Sequence, residues 1–157
     1  MTSTFDGPRG MYFEDFQVGQ KILSAGRTVT EADVVGFAGL TGDFNQIHID
    51  AEYARSGPFG QRVAHGMLGF SIGLGLATQT GIMDRTVMAF REISEWKFSL
   101  PIFFGDTIHA ELEVLEAKAL PRLGGGSVLI GVELKNQKGE VLQRGKWSAL
   151  FLGRPKA

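Results

Sequence analysis

The sequence predicts an α+β fold in which an antiparallel β-sheet wraps around one long central helix. Residues 65–80 are apolar on every side, which is typical of a helix that is buried all round. Four segments follow in which apolar and polar residues alternate, and short turn-rich links join them. Short links favour antiparallel pairing of successive strands, so a single layered domain is expected.

The elements before the central helix are short. Residues 10–29 are predicted to form an entry loop and one short strand. Thr30 is a suitable N-cap for a helix, and Asp33, three residues later, provides the acid of a capping box. Gly42 is a natural helix end, and a polar loop follows it over residues 43–50.

The central helix carries an energetic handicap. Gly69, Gly73 and Gly75 lie inside it, and each costs about 1 kcal/mol relative to alanine in a helix interior. Such a helix must be held by tertiary packing, and its missing side chains allow neighbours to approach closely. Polar residues and glycines interrupt the apolar stretch, so a buried helix is predicted rather than a membrane span.

Strand patterns occupy four segments, at residues 86–99, 107–117, 127–135 and 140–152. In each segment one set of alternate positions is apolar, and these positions are predicted to face the helix. They include Met88, Phe90, Trp96 and Phe98 in the first segment, and Ile108, Ala110, Leu112 and Val114 in the second. His109 has the opposite parity and is predicted to face solvent.

Length and composition exclude several classes of protein. The 157 residues fit one domain, with a core from about residue 12 to residue 152. The formal charge of -1 and the even mixture of signs argue against nucleic-acid binding. The chain has no cysteine, which excludes disulfides, thiolate metal sites and cysteine nucleophiles. No apolar signal segment opens the chain, so a cytoplasmic protein is predicted.

The loop after Gly42 contains a possible acid–base pair, Asp43 and His48. A carboxylate and an imidazole together can orient a water molecule and move its proton near neutral pH. The alternative is structural, because aspartate, asparagine and histidine in such loops commonly bind nearby backbone groups. Spacing alone favours the structural role.

Gly66 opens the central helix, directly after His65. Unpaired N–H groups and partial positive charge at a helix N-terminus can hold an oxyanion, and glycine lets a ligand approach closely. Alternatively, Gly66 only permits a tight turn and His65 caps the helix. The residues leave both interpretations open. The three histidines are scattered and make no zinc motif, so no metal site is predicted.

Several segments together resemble the MaoC-like (R)-specific hydratases. They occur in the family's order over nearly the whole chain, at residues 12–19 (YFEDFQVG), 42–50 (GDFNQIHID), 53–54 (YA), 59–60 (FG), 63–67 (VAHGM) and 98–107 (FSLPIFFGDT). The resemblance implies the hot-dog fold, in which an antiparallel sheet surrounds a long helix. Two departures are Gln46, where proline is common, and the apolar Leu74, where some members have a polar pocket residue.

The resemblance also implies roles for individual residues. Asp43 and His48 match the catalytic pair, and the backbone N–H of Gly66 matches the oxyanion donor. Asn45 and His65 match supporting positions. The implied reaction is reversible (R)-specific hydration of trans-2-enoyl-CoA to (R)-3-hydroxyacyl-CoA, a hydro-lyase reaction without metal or redox cofactor. Coenzyme A is then the carrier of the substrate, and a homodimer or a dimer-based oligomer is expected.

Three other functions fit less well. A 3-hydroxyacyl-[acyl-carrier-protein] dehydratase uses the same chemistry on a different carrier. A hot-dog thioesterase would attack the thioester carbonyl, but no nucleophile or base stands out beyond Asp43 and His48. A non-catalytic acyl-CoA-binding protein would not need this pair. Amine oxidation is rejected, because no segment resembles a flavin site.

Overall fold

The computed structural model describes residues 9–155. The helices are α1 (Glu31–Thr41), α2 (Gln46–Ile49), α3 (Ala51–Arg55) and α4 (Gly66–Gln79). The strands are β1 (Lys21–Leu23), β2 (Arg27–Thr28), β3 (Val87–Phe98), β4 (Thr107–Leu120), β5 (Gly125–Lys135) and β6 (Val141–Leu152). The predicted α+β class is confirmed, although two short strands replace the single strand expected before α1.

The strands form one antiparallel sheet in the order β1-β4-β5-β6-β3, with β2 pairing to β4. β3 therefore lies beside β6 at the edge of the sheet and does not pair with β4, its successor in the chain. The link between them crosses the start of α4, where the Ala64 N–H donates to the Ile102 carbonyl at 2.8 Å. Val63 and Phe103 form an isolated β-bridge at the same place.

The core lies between α4 and one face of the sheet. Alternate residues of β4, β5 and β6 point into it, as their patterns predict. The buried side chains include Leu68, Phe70, Ile72 and Leu76 from α4, and Ile108, Leu112, Ile130, Leu134, Trp147 and Phe151 from the sheet. The glycines of α4 permit this contact: a Cβ at Gly73 would lie 3.3 Å from Leu134.

The prediction that α4 is buried on every side is wrong. Met67 is 51% exposed, and Ser71, Gly75 and Thr78 lie on the same open side of the helix. The sheet covers only the opposite side. The Ser71 and Thr78 hydroxyls donate to the carbonyls of Met67 and Leu74, so the polar side chains on this stripe are satisfied within the helix.

The predicted inward face of β3 is also wrong for most of its length. Met88, Phe90 and Phe98 are exposed, and only Trp96 is partly buried. Three register irregularities interrupt the pairing with β6, so a strict alternation of faces is not maintained. As an edge strand, β3 also has no neighbour on its outer side to cover these side chains.

The capping box of α1 is confirmed. The Thr30 hydroxyl accepts from the Asp33 N–H, and the Asp33 carboxylate accepts from the Thr30 N–H at 2.9 Å. Gly42 ends the helix at a φ of 79°, in the left-handed region that glycine adopts without strain. The chain turns sharply at Gly42, so Asp43 lies beside α4. Within residues 9–155, every helix is too short or too polar to cross a bilayer.

Candidate active site

The loop that carries Asp43 is organised by its own side chains. The Asp43 carboxylate accepts from the Asn45 N–H at 3.2 Å, and the Asn45 side chain accepts from the Ile47 N–H at 3.3 Å. Asn45 is thus the N-cap of α2, a single helical turn that contains His48. These local bonds set the path of the chain between Asp43 and His48.

His48 is buried, and its protonation pattern follows from one contact. Its Nδ1 lies 2.8 Å from the carbonyl oxygen of Val63. A carbonyl only accepts, so the neutral imidazole carries its proton on Nδ1 and leaves Nε2 unprotonated. The ring therefore presents a base.

His65 is only 2% exposed and connects the two parts of the site. Its Nε2 donates to the main-chain carbonyl of Asp43 at 2.9 Å. Its ring stacks on His48, with centroids 3.8 Å apart, and Phe37 packs nearby at 5.1 Å. His65 occupies the N-cap position of α4, as one interpretation predicted, but its side chain makes no capping bond and binds the loop instead.

Asp43, His48 and His65 converge. One potential ligand atom from each lies within 4.8 Å of the others, and the Asp43 side chain is 53% exposed. A carboxylate and an imidazole this close together can act on the same water molecule.

The same trio is less suited to a metal ion. The ring planes of His48 and His65 are inclined by only 27°, so their in-plane lone pairs run side by side and do not meet at one ion. The His65 Nε2 is also committed to the Asp43 carbonyl. The arrangement of these three side chains therefore favours proton transfer over metal binding. That the protein needs no metal stays a prediction.

Gly66 is the first residue of α4. The first backbone hydrogen bond of the helix runs from the Gly69 N–H to the His65 carbonyl. Among the described residues, the N–H of Gly66 has no acceptor, so it is available to a ligand. A Cβ at Gly66 would lie 2.8 Å from the ring of Phe98, so any other residue here would require that exposed ring to shift. A tight turn is not the reason for glycine here, because the φ of Gly66 is outside the left-handed region.

The third histidine differs from its prediction. His109 was expected on a solvent-facing surface but is only 5% exposed. Its Nε2 lies 3.4 Å from the Glu111 carboxylate, which also accepts from Lys135. The hydrogen bond from Lys135 holds the pKa of Glu111 below its usual range. His109 therefore lies buried on the polar face of β4, beside an ion pair whose Glu111 side chain is 44% exposed.

Two cavities stand out among residues 9–155. The larger, about 770 Å³, lies on the outer face of the sheet among charged residues that include Glu111, Glu133 and Lys135. The smaller, about 260 Å³, follows the exposed stripe of α4 between Leu68 and Gln79. Neither is lined by Asp43 or His48.

The family follows from a match over most of the chain. Residues 15–134 match the MaoC like domain. The chain belongs to the MaoC-like domain family. Relatives include an (R)-specific enoyl-CoA hydratase from Rhodospirillum rubrum, 37% identical over 66% of this chain and 69% of that protein. Protein MaoC of Klebsiella aerogenes is 40% identical over 67% of this chain, but the match spans only 31% of that longer protein.

Solved structures show the same fold. A protein described as a monoamine oxidase regulatory protein from Archaeoglobus fulgius is 42% identical, with a TM-score of 0.86 over 93% of this chain and 97% of that one. A double hot-dog protein from Mycobacterium tuberculosis is 18% identical, with a TM-score of 0.81 over 94% of this chain and 46% of that one. The predicted hot-dog fold is confirmed, and the predicted hydro-lyase class is confirmed at the level of the family.

Proposed function

We propose that this MaoC-like protein catalyses the (R)-specific hydration of trans-2-enoyl-CoA thioesters, and the reverse dehydration of (R)-3-hydroxyacyl-CoA. The observation that carries the proposal is the convergence of Asp43, His48 and His65 beside the open N–H of Gly66. The bond from His48 Nδ1 to Val63 leaves the other ring nitrogen of His48 free to act as a base. The relative from Rhodospirillum rubrum is named as an (R)-specific enoyl-CoA hydratase, which supports this proposal.

The residues divide the chemistry between them. The Asp43 carboxylate orients a water molecule, and His48 Nε2 removes its proton as the water oxygen attacks the β-carbon. Electron density moves to the thioester oxygen, which the Gly66 N–H and the positive end of α4 stabilise as an enolate. The proton is then returned to the α-carbon, which completes the addition of one water molecule across the double bond.

The substrate supplies its own activation. A thioester conjugated to the alkene withdraws electrons from the β-carbon, so the proposal includes no metal and no redox cofactor, and coenzyme A is only the carrier. The apolar groove along α4 supports an acyl substrate. It begins near Leu68, within one turn of Gly66, and continues past Ile72 and Leu76. We place the enzyme in the cytoplasm, as the sequence predicts.

We further propose that the enzyme acts as a homodimer or a dimer-based oligomer. β3 is a twelve-residue edge strand that presents exposed apolar side chains, among them Phe90 and Ile93. Long apolar edges are normally paired or covered, and a two-fold dimer is the commonest closed arrangement. A second copy would also cover the exposed surface around Asp43, which lies outside both cavities of the single chain.

The test is a panel of enoyl-CoA and enoyl-carrier-protein substrates, followed by loss of the conjugated thioester absorbance. Wild-type protein should hydrate an enoyl-CoA, and Asp43→Asn and His48→Ala should each lower kcat/KM by at least about 100-fold. The matched controls are Asp50→Asn, at the N-cap of α3, and His109→Ala, in the sheet. Near wild-type kcat/KM in either folded site variant contradicts the assignment. If only the carrier-protein substrate is turned over, the carrier is an acyl carrier protein and not coenzyme A.

A further inference from the structure

Gln143 is a polar residue inside the apolar core. It lies on the inner face of β6 and is 1% exposed. A buried amide is costly unless both its oxygen and its nitrogen have partners. Both are satisfied: Oε1 accepts from the Trp96 indole N–H at 3.3 Å, and Nε2 donates to the Gly66 carbonyl at 2.9 Å.

The orientation of this amide is unambiguous on chemical grounds. The indole nitrogen of Trp96 can only donate, and the main-chain carbonyl of Gly66 can only accept. The opposite orientation of Gln143 would place oxygen against oxygen and nitrogen against nitrogen. Three elements are thus joined in series: the edge strand β3 through Trp96, β6 through Gln143, and the first residue of α4.

Two glycines make room for the chain of hydrogen bonds. A Cβ at Gly69 would lie 2.5 Å from Gln143 Nε2, so a side chain there would displace the amide. A Cβ at Gly145 would lie 2.5 Å from the Trp96 ring. The Trp96 ring is further held by Phe70 at 4.8 Å and by stacking on Trp147 at 5.9 Å. The indole donor therefore has a fixed place.

We propose that Gln143 is a positioning residue for the hydration reaction, which with Trp96 sets the position of Gly66 at the start of α4. The inference rests on the proposed function, in which the Gly66 N–H binds the thioester oxygen as charge develops on it. The carbonyl and the N–H of Gly66 are separated only by the φ and ψ torsions of this residue, which have helical values at the start of α4. A bond to the carbonyl therefore helps to hold the N–H in place. Oxyanion stabilisation depends on donors that are placed before the reaction begins.

The first test compares kcat with KM for Gln143→Leu on an enoyl-CoA substrate. Leucine is similar in size but makes neither hydrogen bond, so kcat should fall at least about 10-fold while KM changes less than about 2-fold. Val128→Ala is the control for lost core stability. Val128 pairs with Ala149, six residues from Gln143 along β6 and roughly 20 Å away, so this variant should keep wild-type kcat. A folded Gln143→Leu protein with wild-type kcat overturns the proposal.

The second test uses Gln143→Glu and compares kcat per folded protein, because ionisation of a buried glutamate also lowers stability. A protonated glutamic acid can donate to the Gly66 carbonyl, whereas a carboxylate repels it. The ratio of variant to wild-type kcat should therefore rise as the pH falls from about 8 to about 6. A ratio that is flat or falls over this range contradicts the positioning role.

A third measurement separates this inference from the proposed function. The amide resonance of Met67, whose peptide unit contains the Gly66 carbonyl, and the indole resonance of Trp96 report the two hydrogen bonds by NMR, whatever the activity. In Gln143→Leu both resonances should shift, and the Trp96 indole proton should exchange faster with solvent. If wild-type protein hydrates no enoyl thioester, the proposed reaction fails even when these shifts appear. If the resonances do not move, the positioning role fails even when hydration is observed.

Discussion

The imidazole rings of His48 and His65 lie stacked, with centroids 3.8 Å apart, and each donates to a different main-chain carbonyl. His48 donates to Val63, and His65 donates to Asp43. The loop that carries Asp43 is thereby tied to the residue that precedes α4. The base and the helix N-terminus are thus positioned by one pair of rings.

Replacing His65 should separate its stacking from its hydrogen bond. His65→Phe keeps an aromatic ring beside His48 but cannot donate to the Asp43 carbonyl, so the loop should loosen and kcat should fall at least about 10-fold. His65→Gln keeps an N–H donor and should retain more activity than the phenylalanine variant. Steady-state kinetics on an enoyl-CoA measures both. A phenylalanine variant at the wild-type rate would show that the bond to Asp43 does not matter.

Gly66→Ala should impair the enzyme through a specific clash. The new methyl group would lie 2.8 Å from the Phe98 ring, which must shift or push α4 away. We expect kcat to fall by about 100-fold, the lower end of the effect of losing one oxyanion donor. Phe98→Ala removes the ring with which the methyl group clashes. Adding Gly66→Ala to Phe98→Ala should therefore lower kcat less than adding it to wild type does. No recovery in the double variant would mean that the clash is not the cause.

A charge in the middle of β3 should break the dimer. Ile93 is 43% exposed on the edge strand, and Ile93→Lys would bury a charge where two copies meet. Sedimentation velocity should show a dimer or a larger assembly for wild-type protein and a shift toward monomer for the variant. Val18→Lys, at a 68% exposed site outside the strands, is the matched control and should leave the assembly unchanged. A fully active wild-type monomer at low concentration would refute the proposal.

The α1 cap should contribute stability that disappears in acid. Burial raises the pKa of Asp33, but hydrogen bonds from Thr30 and the nearby Arg27 charge outweigh it and hold the pKa below its usual range. The ionised form therefore stabilises the folded state. That contribution is present above the unfolded pKa, near 3.9, and is lost as the pH falls through the lower, folded-state pKa.

The corresponding measurement is chemical unfolding of Asp33→Ala at several pH values. At pH 7 the variant should be about 1 kcal/mol less stable than wild type, the usual cost of losing a helix cap. This difference should shrink below about pH 4. Glu116→Ala, at an exposed position on β4, is the control and should show no such loss. A constant difference for Asp33→Ala down to pH 3 would contradict a stabilising role of the carboxylate charge.

Local patterns in the sequence were enough to predict much of the fold. The alternation around Ile130 and the capping box at Thr30 depend on near neighbours in the chain, and both are present in the structure. The exposure of Phe90 could not be predicted, because an apolar strand face has the same pattern whether its own chain or a second chain covers it. The prediction for His109 was also wrong, because alternation along a strand indicates the face on which a side chain lies but not how deeply its neighbours bury it.

The site was less accessible to sequence reasoning. Spacing alone left a structural role for Asp43 and His48 as the favoured interpretation, and only the family resemblance reversed it. The stacking of His48 on His65 joins residues on separate elements, which no periodicity encodes. Sequence reasoning missed Gln143, although the sequence contains a signal for it. Gln143 has the same parity on β6 as the apolar Trp147, so it lies at an inward position. A polar residue at an inward strand position indicates a buried partner.

The stereochemistry of hydration is the most direct test of the central claim. The thioester oxygen held at Gly66 and the water held by Asp43 and His48 are two fixed anchors, so only one face of the planar alkene meets the water. The measurement is hydration of crotonyl-CoA, with the product coupled separately to (R)-specific and (S)-specific 3-hydroxyacyl-CoA dehydrogenases. Signal is expected in the (R)-coupled reaction alone. Signal only in the (S)-coupled reaction, or a mixture of both products, would contradict it.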